Sequence, residues 1–216
     1  FANAIASGFE TGAALAIEHQ GKIIINLWGG YQDKEKTKLW EEDTLVNVFS
    51  VTKGVTATCI SRLIDQGKLD PSKSVGNYWP EYACNGKENT KVSDLLCHRA
   101  AMFGFKDGIP SGSFQDWKKF TKQLQMQAPY RKPGISQGYH ALTFGWLAGE
   151  LIRRVDGRTV GTYFKEEIAD PLNIDFHIGL AESEFVRCAD MLMLPMENIK
   201  LPGEFLKFIP NFFLPQ

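Results

Sequence analysis

The most regular pattern in this chain lies in residues 47–68, NVFSVTKGVTATCISRLIDQGK, and it constrains the fold more than any other stretch. Apolar side chains recur there at helical spacing from Thr52 to Gln66, which predicts a helix with one buried face. The predicted face consists of Val55, Cys59, Ile60, Leu63 and Ile64. Gly67 follows at the position where helices commonly end. The chain must therefore supply a hydrophobic core against which this helix packs.

A β-hairpin is predicted ahead of the helix, over residues 12–30. Two β-prone runs flank the sequence HQGK there, and its Gly21 can adopt the positive φ that a tight turn needs. The second run, from Ile23 to Trp28, is almost continuously apolar. A run of this kind is typical of a strand that is buried, so we expect cover for its side chains.

Four further helices are predicted from apolar spacing. They span residues 92–103, 113–127, 142–155 and 160–168, and irregular segments rich in glycine and proline separate them. Ser93 is a candidate N-cap of the first. The last residues, 201–216, contain three prolines and four phenylalanines. This apolar tail is expected to cover a sheet edge or to form a surface for a partner or for self-association.

The composition excludes several kinds of function. The 216 residues include 24 basic and 25 acidic ones, and no basic stripe stands out, so nucleic acid is not expected as a partner. The four cysteines and four histidines are scattered without metal-ligand spacing, which argues against a metal site and favours a reducing, cytoplasmic setting. No apolar run reaches the ~18 residues of a membrane span. The chain begins without Met or a signal peptide, which indicates a fragment or a processed product.

Ser50 and Lys53 stand three residues apart at the start of the predicted helix, and two interpretations are open. In the first, Ser50 caps the helix and Lys53 is solvated. A bare Ser-x-x-Lys is a weak motif, because about one occurrence is expected by chance in a chain of this length. In the second interpretation, Ser50 is a nucleophile that Lys53 activates.

Four features favour the nucleophile. A lysine in the first helical turn is unfavourable against the helix dipole. The flanking residues are apolar or small, so Lys53 is expected to be desolvated, which makes it a candidate base. Side chains at positions i and i+3 lie ~5–6 Å apart on one helix face. The free N–H of Ser50 at a helix start could also help to bind an oxyanion.

Several longer stretches occur in an order that resembles a known family. They are NVFSVTKGVTA, YWPEY, GKENTKVSDLLCHRAAM and PGISQGYHALTFGWLAGELIRRVDG. Together they resemble the serine esterases related to class C β-lactamases and penicillin-binding proteins, over roughly Gly12 to Leu180. The resemblance implies that Ser50 is the acylated nucleophile and that Lys53 activates it. It also implies that Tyr139, in the sequence YHA, is the general base of the second motif.

The chain departs from the family pattern at three places. Ala141 stands where lactamases often carry Asn, which argues against β-lactam turnover more than against ester hydrolysis. Ala101 and Met102 stand where relatives usually carry Gly and Leu, so a different local turn is expected. A third motif, K-T-G or H-x-G on a late strand that supplies an oxyanion-hole N–H, is not identified. His98 is expected to be structural, packing under the cleft.

The resemblance implies an α+β fold of the β-lactamase/transpeptidase type, with an antiparallel sheet and a helical region, here lacking the C-terminal strands. One incomplete domain is expected over 1–216. The hairpin and nucleophile helix would occupy 12–68, a mainly helical region 69–180, and an apolar tail 181–216.

The function that the resemblance implies is that of a serine hydrolase, esterase- or β-lactamase-like. It would act on a small ester or amide through an acyl-enzyme on Ser50, and it would need no cofactor. Because the third motif is not found, weak activity or none is expected of this chain. The alternative is a non-catalytic fragment or pseudoenzyme that acts as a binding protein.

Overall fold

A computed structural model of the chain describes residues 1–109 and 113–192. The described residues divide into two compact units, one formed by 1–47 and 182–192, the other by 48–109 and 113–181. Most of the predicted tail, including 201–216, lies outside the described residues. The single incomplete domain over 1–216 stays a prediction. No helix in the described ranges is both long and apolar enough to cross a membrane.

The first unit contains the predicted hairpin. Its elements are helix α1 (Ala2–Ala6), the antiparallel strands β1 (Gly12–His19) and β2 (Lys22–Gly30), and a 3-10 turn at Glu182–Arg187. The two residues that join the strands, Gln20 and Gly21, have φ values of +50° and +75°. Two positive values are the signature of a type I′ turn, whose twist matches that of paired strands. The turn predicted at Gly21 is therefore confirmed.

The expected burial of β2 is wrong. Ile23 and Ile24 are 67% and 61% exposed, and Trp28 is 39% exposed. In the part of the chain that the structure describes, the sheet consists of β1 and β2 alone. The apolar run correctly indicated a strand. It shows that the side chains of the strand favour burial, but it does not show whether other parts of the chain pack against them.

The second unit is helical. Its helices are α2 (Val51–Asp65), α3 (Val92–Leu96), α4 (Trp117–Met126), α5 (Thr143–Asp156), α6 (Val160–Phe164) and α7 (Asp170–Leu172). Short 3-10 turns lie at Val75–Asn77 and Pro80–Tyr82, and a π-helical turn at Lys165–Ala169 joins α6 to α7. Together with the hairpin, this gives the predicted combination of an antiparallel sheet with a helical region.

Helices α2 and α5 pack against each other in the core of this unit. Cys59, Ile60 and Leu63 of α2 are fully buried, as are Leu147 and Leu151 of α5. Each fully buried aliphatic side chain of this size contributes about 1.5–3 kcal/mol. The buried face predicted for α2 is thus confirmed at Cys59, Ile60 and Leu63. Packing of α2 on α5 fixes the start of one helix relative to the start of the other.

Helix α2 ends as the sequence predicts. Gly67 has a φ of +69°, and its N–H donates to the carbonyl of Ile64 at 2.9 Å. The N–H of Lys68 reaches back to the carbonyl of Leu63, also at 2.9 Å. This pair of bonds is the Schellman arrangement, which favours glycine at the left-handed position.

Helix α3 is shorter than predicted and is not capped by Ser93. It begins after Lys91, whose backbone N–H donates to the carboxylate of Asp94 at 3.2 Å, and it ends at Leu96. His98 then adopts a φ of +59° and Ala101 one of +54°. Two left-handed residues cannot continue a right-handed helix, so the chain leaves α3 as an irregular segment, residues 98–102.

Candidate active site

Ser50 stands directly before the first residue of α2, at the N-cap position, but its side chain makes no capping hydrogen bond. The preceding residue, Phe49, has a φ of +45°. A non-glycine residue in this left-handed region is strained by roughly 1–2 kcal/mol, and such strain is concentrated at functional sites. Of the two interpretations of Ser50, its geometry is therefore not that of a simple helix cap.

The structure brings all three predicted site residues together. Tyr139 Oη donates to Ser50 Oγ at 2.6 Å. Lys53 Nζ donates to the same oxygen at 3.1 Å. The hydroxyl of Ser50 therefore accepts a hydrogen bond from each of the two groups that could take or return a proton.

Lys53 is half-buried and has a second partner. Its Nζ donates to the main-chain carbonyl of Ala141 at 2.8 Å and lies 4.9 Å from the centre of the Tyr139 ring. These contacts fix the ammonium between Ser50 and Tyr139. Ala141 thus contributes a backbone oxygen to the site.

The surroundings of Tyr139 lower the pKa of its phenol. Desolvation raises the pKa, but the hydrogen bond with Ser50 and the hydrogen bonding and positive charge of Lys53 outweigh it, leaving the pKa below its ordinary value. A positive charge favours the ionised form of a nearby acid. The charge of Lys53 thus favours the ionised phenol, which is the form that a general base needs.

Tyr139 stands on a loop that is bonded to the irregular segment 98–102. Backbone N–H groups of Tyr130, Gly134 and Gly138 donate to three carbonyls of that segment, each at 2.9 Å. The acceptors are the carbonyls of Ala101, Arg99 and His98. The irregular segment 98–102 therefore holds the Tyr139 loop by three backbone hydrogen bonds.

Two histidines complete this attachment. His140 is fully buried, and its Nε2 accepts from the N–H of Met102 at 3.0 Å. Its Nδ1 must then carry the proton, which it donates to the carbonyl of Gly138 at 2.7 Å. His98 Nδ1 accepts from the N–H of His140 at 3.2 Å, and its ring lies edge-on to Tyr139, with centroids 4.8 Å apart. His98 thus packs beside the site.

The buried imidazole of His140 makes the stability of the fold depend on pH. Burial lowers its pKa from 6.5 to about 4, although the bond to Gly138 opposes this shift. As pH falls, the unfolded chain takes up the proton first, so this stability is present above pH ~6.5 and is lost toward pH ~4. We expect this group alone to lower the free energy of unfolding by about 2 kcal/mol between pH 7 and pH 5, measured by urea denaturation.

The variant His140→Gln isolates this contribution, because glutamine does not titrate. Between pH 7 and pH 5 its free energy of unfolding should change less than that of the wild type. Equal slopes in the two proteins would contradict a neutral, buried His140.

Two contributions to the site were missed by sequence reasoning. One is the carbonyl of Ala141, and a main-chain acceptor has no residue signature at all. The other is His140, which adjoins Tyr139 in the YHA sequence. Its position directly after Tyr139, in a segment rich in glycine and proline, was the available signal.

Among the described residues, neither K-T-G nor H-x-G lies on a late strand. The string H-x-G occurs twice in the chain, at 19–21 and at 177–179. The first begins at His19, the last residue of β1, and continues into the hairpin turn. The second lies in irregular chain, where His177 Nε2 lies 2.9 Å from the carboxylate of Asp175.

Among the described residues, no group of three or more His, Cys, Asp or Glu side chains could hold a metal ion.

Comparison with known proteins shows the family of the chain. The model of the Beta-lactamase family matches residues 1–207. The chain belongs to the beta-lactamase family. Its relatives include the "Esterase/beta-lactamase LipL" of Mycobacterium tuberculosis, 38% identical over 184 residues, which are 84% of this chain and 42% of LipL. The predicted relation to β-lactamase-like esterases is thereby confirmed.

Solved structures confirm the fold of this beta-lactamase family member. A family VIII carboxylesterase is 39% identical with a TM-score of 0.83, over 88% of this chain and 53% of the esterase. A penicillin-binding protein homologue from Caulobacter crescentus is 40% identical with a TM-score of 0.84, over 89% of this chain and 52% of the homologue. The chain therefore spans about half the length of these relatives.

Proposed function

We propose that this chain is a serine hydrolase unit that forms an acyl-enzyme on Ser50 with a small ester or amide. The observation that carries the proposal is the meeting of Tyr139 Oη, Lys53 Nζ and Ser50 Oγ, with distances to the serine oxygen of 2.6 and 3.1 Å. A nucleophile and its base within hydrogen-bond reach, with a third group that orients the base, are the arrangement that covalent catalysis needs.

In the proposed acylation, the Tyr139 phenolate takes the proton of Ser50 as Oγ attacks the substrate carbonyl. The ammonium of Lys53 stabilises the phenolate before the transfer. When the tetrahedral intermediate collapses, Tyr139 returns the proton to the leaving alcohol or amine, so the phenolate is regenerated and the acyl group remains on Oγ. Water then attacks the acyl-serine with the same proton path in reverse, which releases the acid and restores Ser50.

Stabilisation of the oxyanion is proposed to come in part from the backbone N–H of Ser50, because the first N–H groups of a helix have no partner within it. A single missing oxyanion donor typically lowers the rate by ~10²–10³. Since no late strand with a K-T-G or H-x-G motif is among the described residues, the proposal for this chain includes slow turnover of the acyl-enzyme.

A fluorophosphonate probe tests the proposal directly, because it reacts with an activated serine and needs no turnover. We expect one adduct by intact mass, and peptide mapping should assign it to Ser50. Ser50→Ala should remove the adduct, and Ser61→Ala, a change at another serine on α2, should keep it. Ester hydrolysis at rates typical of intact enzymes would contradict slow turnover.

The alternative function, a non-catalytic binding protein, predicts a different result. The wild-type chain would then be folded by circular dichroism but would carry no adduct, or would carry one that persists in Ser50→Ala.

A further inference from the structure

We propose that His98 is a positioning residue for Tyr139, whose neutral imidazole keeps the phenol on Ser50 Oγ and whose protonation releases it. This inference rests on the proposed function of Ser50, Lys53 and Tyr139. It assigns a role to an imidazole that takes no part in the proton transfers.

The first observation is that His98 binds the chain on both sides of Tyr139. Its carbonyl accepts from the N–H of Gly138 at 2.9 Å. Its Nδ1 accepts from the N–H of His140 at 3.2 Å. Because the two neighbours of Tyr139 are held by one residue, the backbone from which the phenol projects has little freedom to rotate.

The second observation is that Tyr139 has little packing of its own. Its side chain is 53% exposed. The ring of His98 meets it edge-on, with centroids 4.8 Å apart and planes at 64°. An exposed phenol that makes a 2.6 Å bond to Ser50 needs support from its neighbours to stay there, and His98 provides it through both backbone and ring.

The third observation is the anchorage of His140, to which His98 is bonded. His140 is fully buried and accepts from the N–H of Met102. Met102 belongs to the same segment as His98, so both ends of the attachment lie on residues 98–102. His140 therefore attaches the Tyr139 loop to segment 98–102 at two points, His98 and Met102.

The two hydrogen bonds from the N–H groups of Gly138 and His140 to His98 form a clamp around Tyr139. The protonation state of His98 decides whether this clamp can form. A neutral Nδ1 accepts the N–H of His140, whereas a protonated Nδ1 would place one donor against another. The titratable groups that face the imidazole are Lys53 on α2 and, on the loop, Tyr139 and His140, with Phe144 of α5 on a further side.

These surroundings favour the neutral imidazole. Burial lowers the pKa of His98, and the charge of Lys53 lowers it further. His140 stays neutral over the same range, since burial brings its pKa to about 4. The clamp is thus closed near neutral pH and opens in acid, at a pH set by His98.

The left-handed backbone of His98, with a φ of +59°, dictates which variants test the proposal. Both asparagine and glycine tolerate this conformation. His98→Asn retains a side-chain acceptor close to the position of Nδ1 but cannot titrate. His98→Gly removes the acceptor and the ring. His19→Asn, at an exposed histidine of β1, is the matched control.

The first measurement is the rate constant for fluorophosphonate labelling of Ser50 between pH 5 and pH 8. At pH 8, His98→Gly should label about three- to tenfold more slowly than the wild type, the effect of one lost hydrogen bond on a transition state. His98→Asn and the His19→Asn control should remain within about twofold. Toward pH 5 the wild type should lose rate relative to His98→Asn.

The second measurement does not need a reactive serine. The ¹³Cζ resonance of Tyr139, assigned by its loss in Tyr139→Phe, should shift in step with protonation of His98 and should lose that step in His98→Asn. Absence of the step in the wild type would overturn the inference, as would equal labelling by all variants at every pH. If His98→Gly does not fold, the comparison of His98→Asn with the wild type decides.

The two proposals fail in distinguishable ways. A wild-type chain that is not labelled contradicts the proposed function, while the resonance of Tyr139 still reports whether His98 controls it. If Ser50 is labelled at the same rate in the wild type and in both His98 variants at every pH, the proposed function stands and the inference about His98 is wrong.

Discussion

Lys53→Met is expected to lower the rate constant for labelling of Ser50 by about 10³-fold, within the range of general acid–base effects. The ammonium lies 3.1 Å from Ser50 Oγ, 2.8 Å from the carbonyl of Ala141 and 4.9 Å from the centre of the Tyr139 ring. Methionine has a similar length but no charge and no donor. It therefore removes both the hydrogen bond to the nucleophile and the field that favours the phenolate.

The measurement is the time course of fluorophosphonate labelling by intact mass, with the fold checked by circular dichroism. Lys68→Met is the matched control, because Lys68 is an exposed lysine whose ammonium lies 3.5 Å from the carboxylate of Asp156, away from Ser50. The control should label like the wild type. Labelling of Lys53→Met within tenfold of the control would contradict a role for the lysine in activating Ser50.

Tyr139→Phe is expected to lower the same rate constant by about 10²-fold or more. The variant deletes one oxygen, the one that lies 2.6 Å from Ser50 Oγ, and leaves the ring and its edge contact with His98. Because the side chain is half-exposed, the free energy of unfolding should change by less than about 1 kcal/mol. Loss of activity without loss of stability is therefore the expected combination.

The pH profile adds a second test of Tyr139. If the phenolate takes the serine proton, labelling should rise with pH and level off below the ordinary phenol pKa of about 10, since Ser50 and Lys53 lower the pKa of Tyr139. Tyr139→Phe should lose this rise. Tyr130→Phe, which removes a phenol oxygen from the same loop, should keep it, and an identical loss in both variants would count against Tyr139 as the base.

The parts of the fold that followed from the sequence are those governed by local periodicity. Helix α2 and its Gly67 terminus, helix α5 and the turn at Gly21 were all predicted, because side-chain spacing and backbone preference act over a few residues. Helix α3 was predicted too long, because the left-handed backbone that follows it falls on His98 and Ala101. Neither is a glycine, so the sequence gives no signal that the helix ends there. The exposure of β2 depends on cover by other strands, which its own residues cannot encode.

The candidate site divides in the same way. Ser50 and Lys53 are three residues apart on one helix, so their proximity follows from helical geometry alone. Tyr139 could be added only through resemblance to a family, because no local rule joins it to Ser50. The carbonyl of Ala141 and the clamp by His98 depend on how two irregular segments run beside each other. Backbone directions of that kind are decided by packing.

The hydrogen bonds at Ser50 also make its reactivity a measure of folding. Tyr139 and Ser50 are separated by 89 residues, and Lys53 and Ala141 by 88. Closing a loop of this length costs entropy that only packing of the intervening helices repays, so these bonds are expected among the last to form. A fragment that ends before the Tyr139 loop would contain an ordinary serine. Labelling of Ser50 during refolding would therefore count the molecules in which the long-range contacts between α2 and the Tyr139 loop have closed.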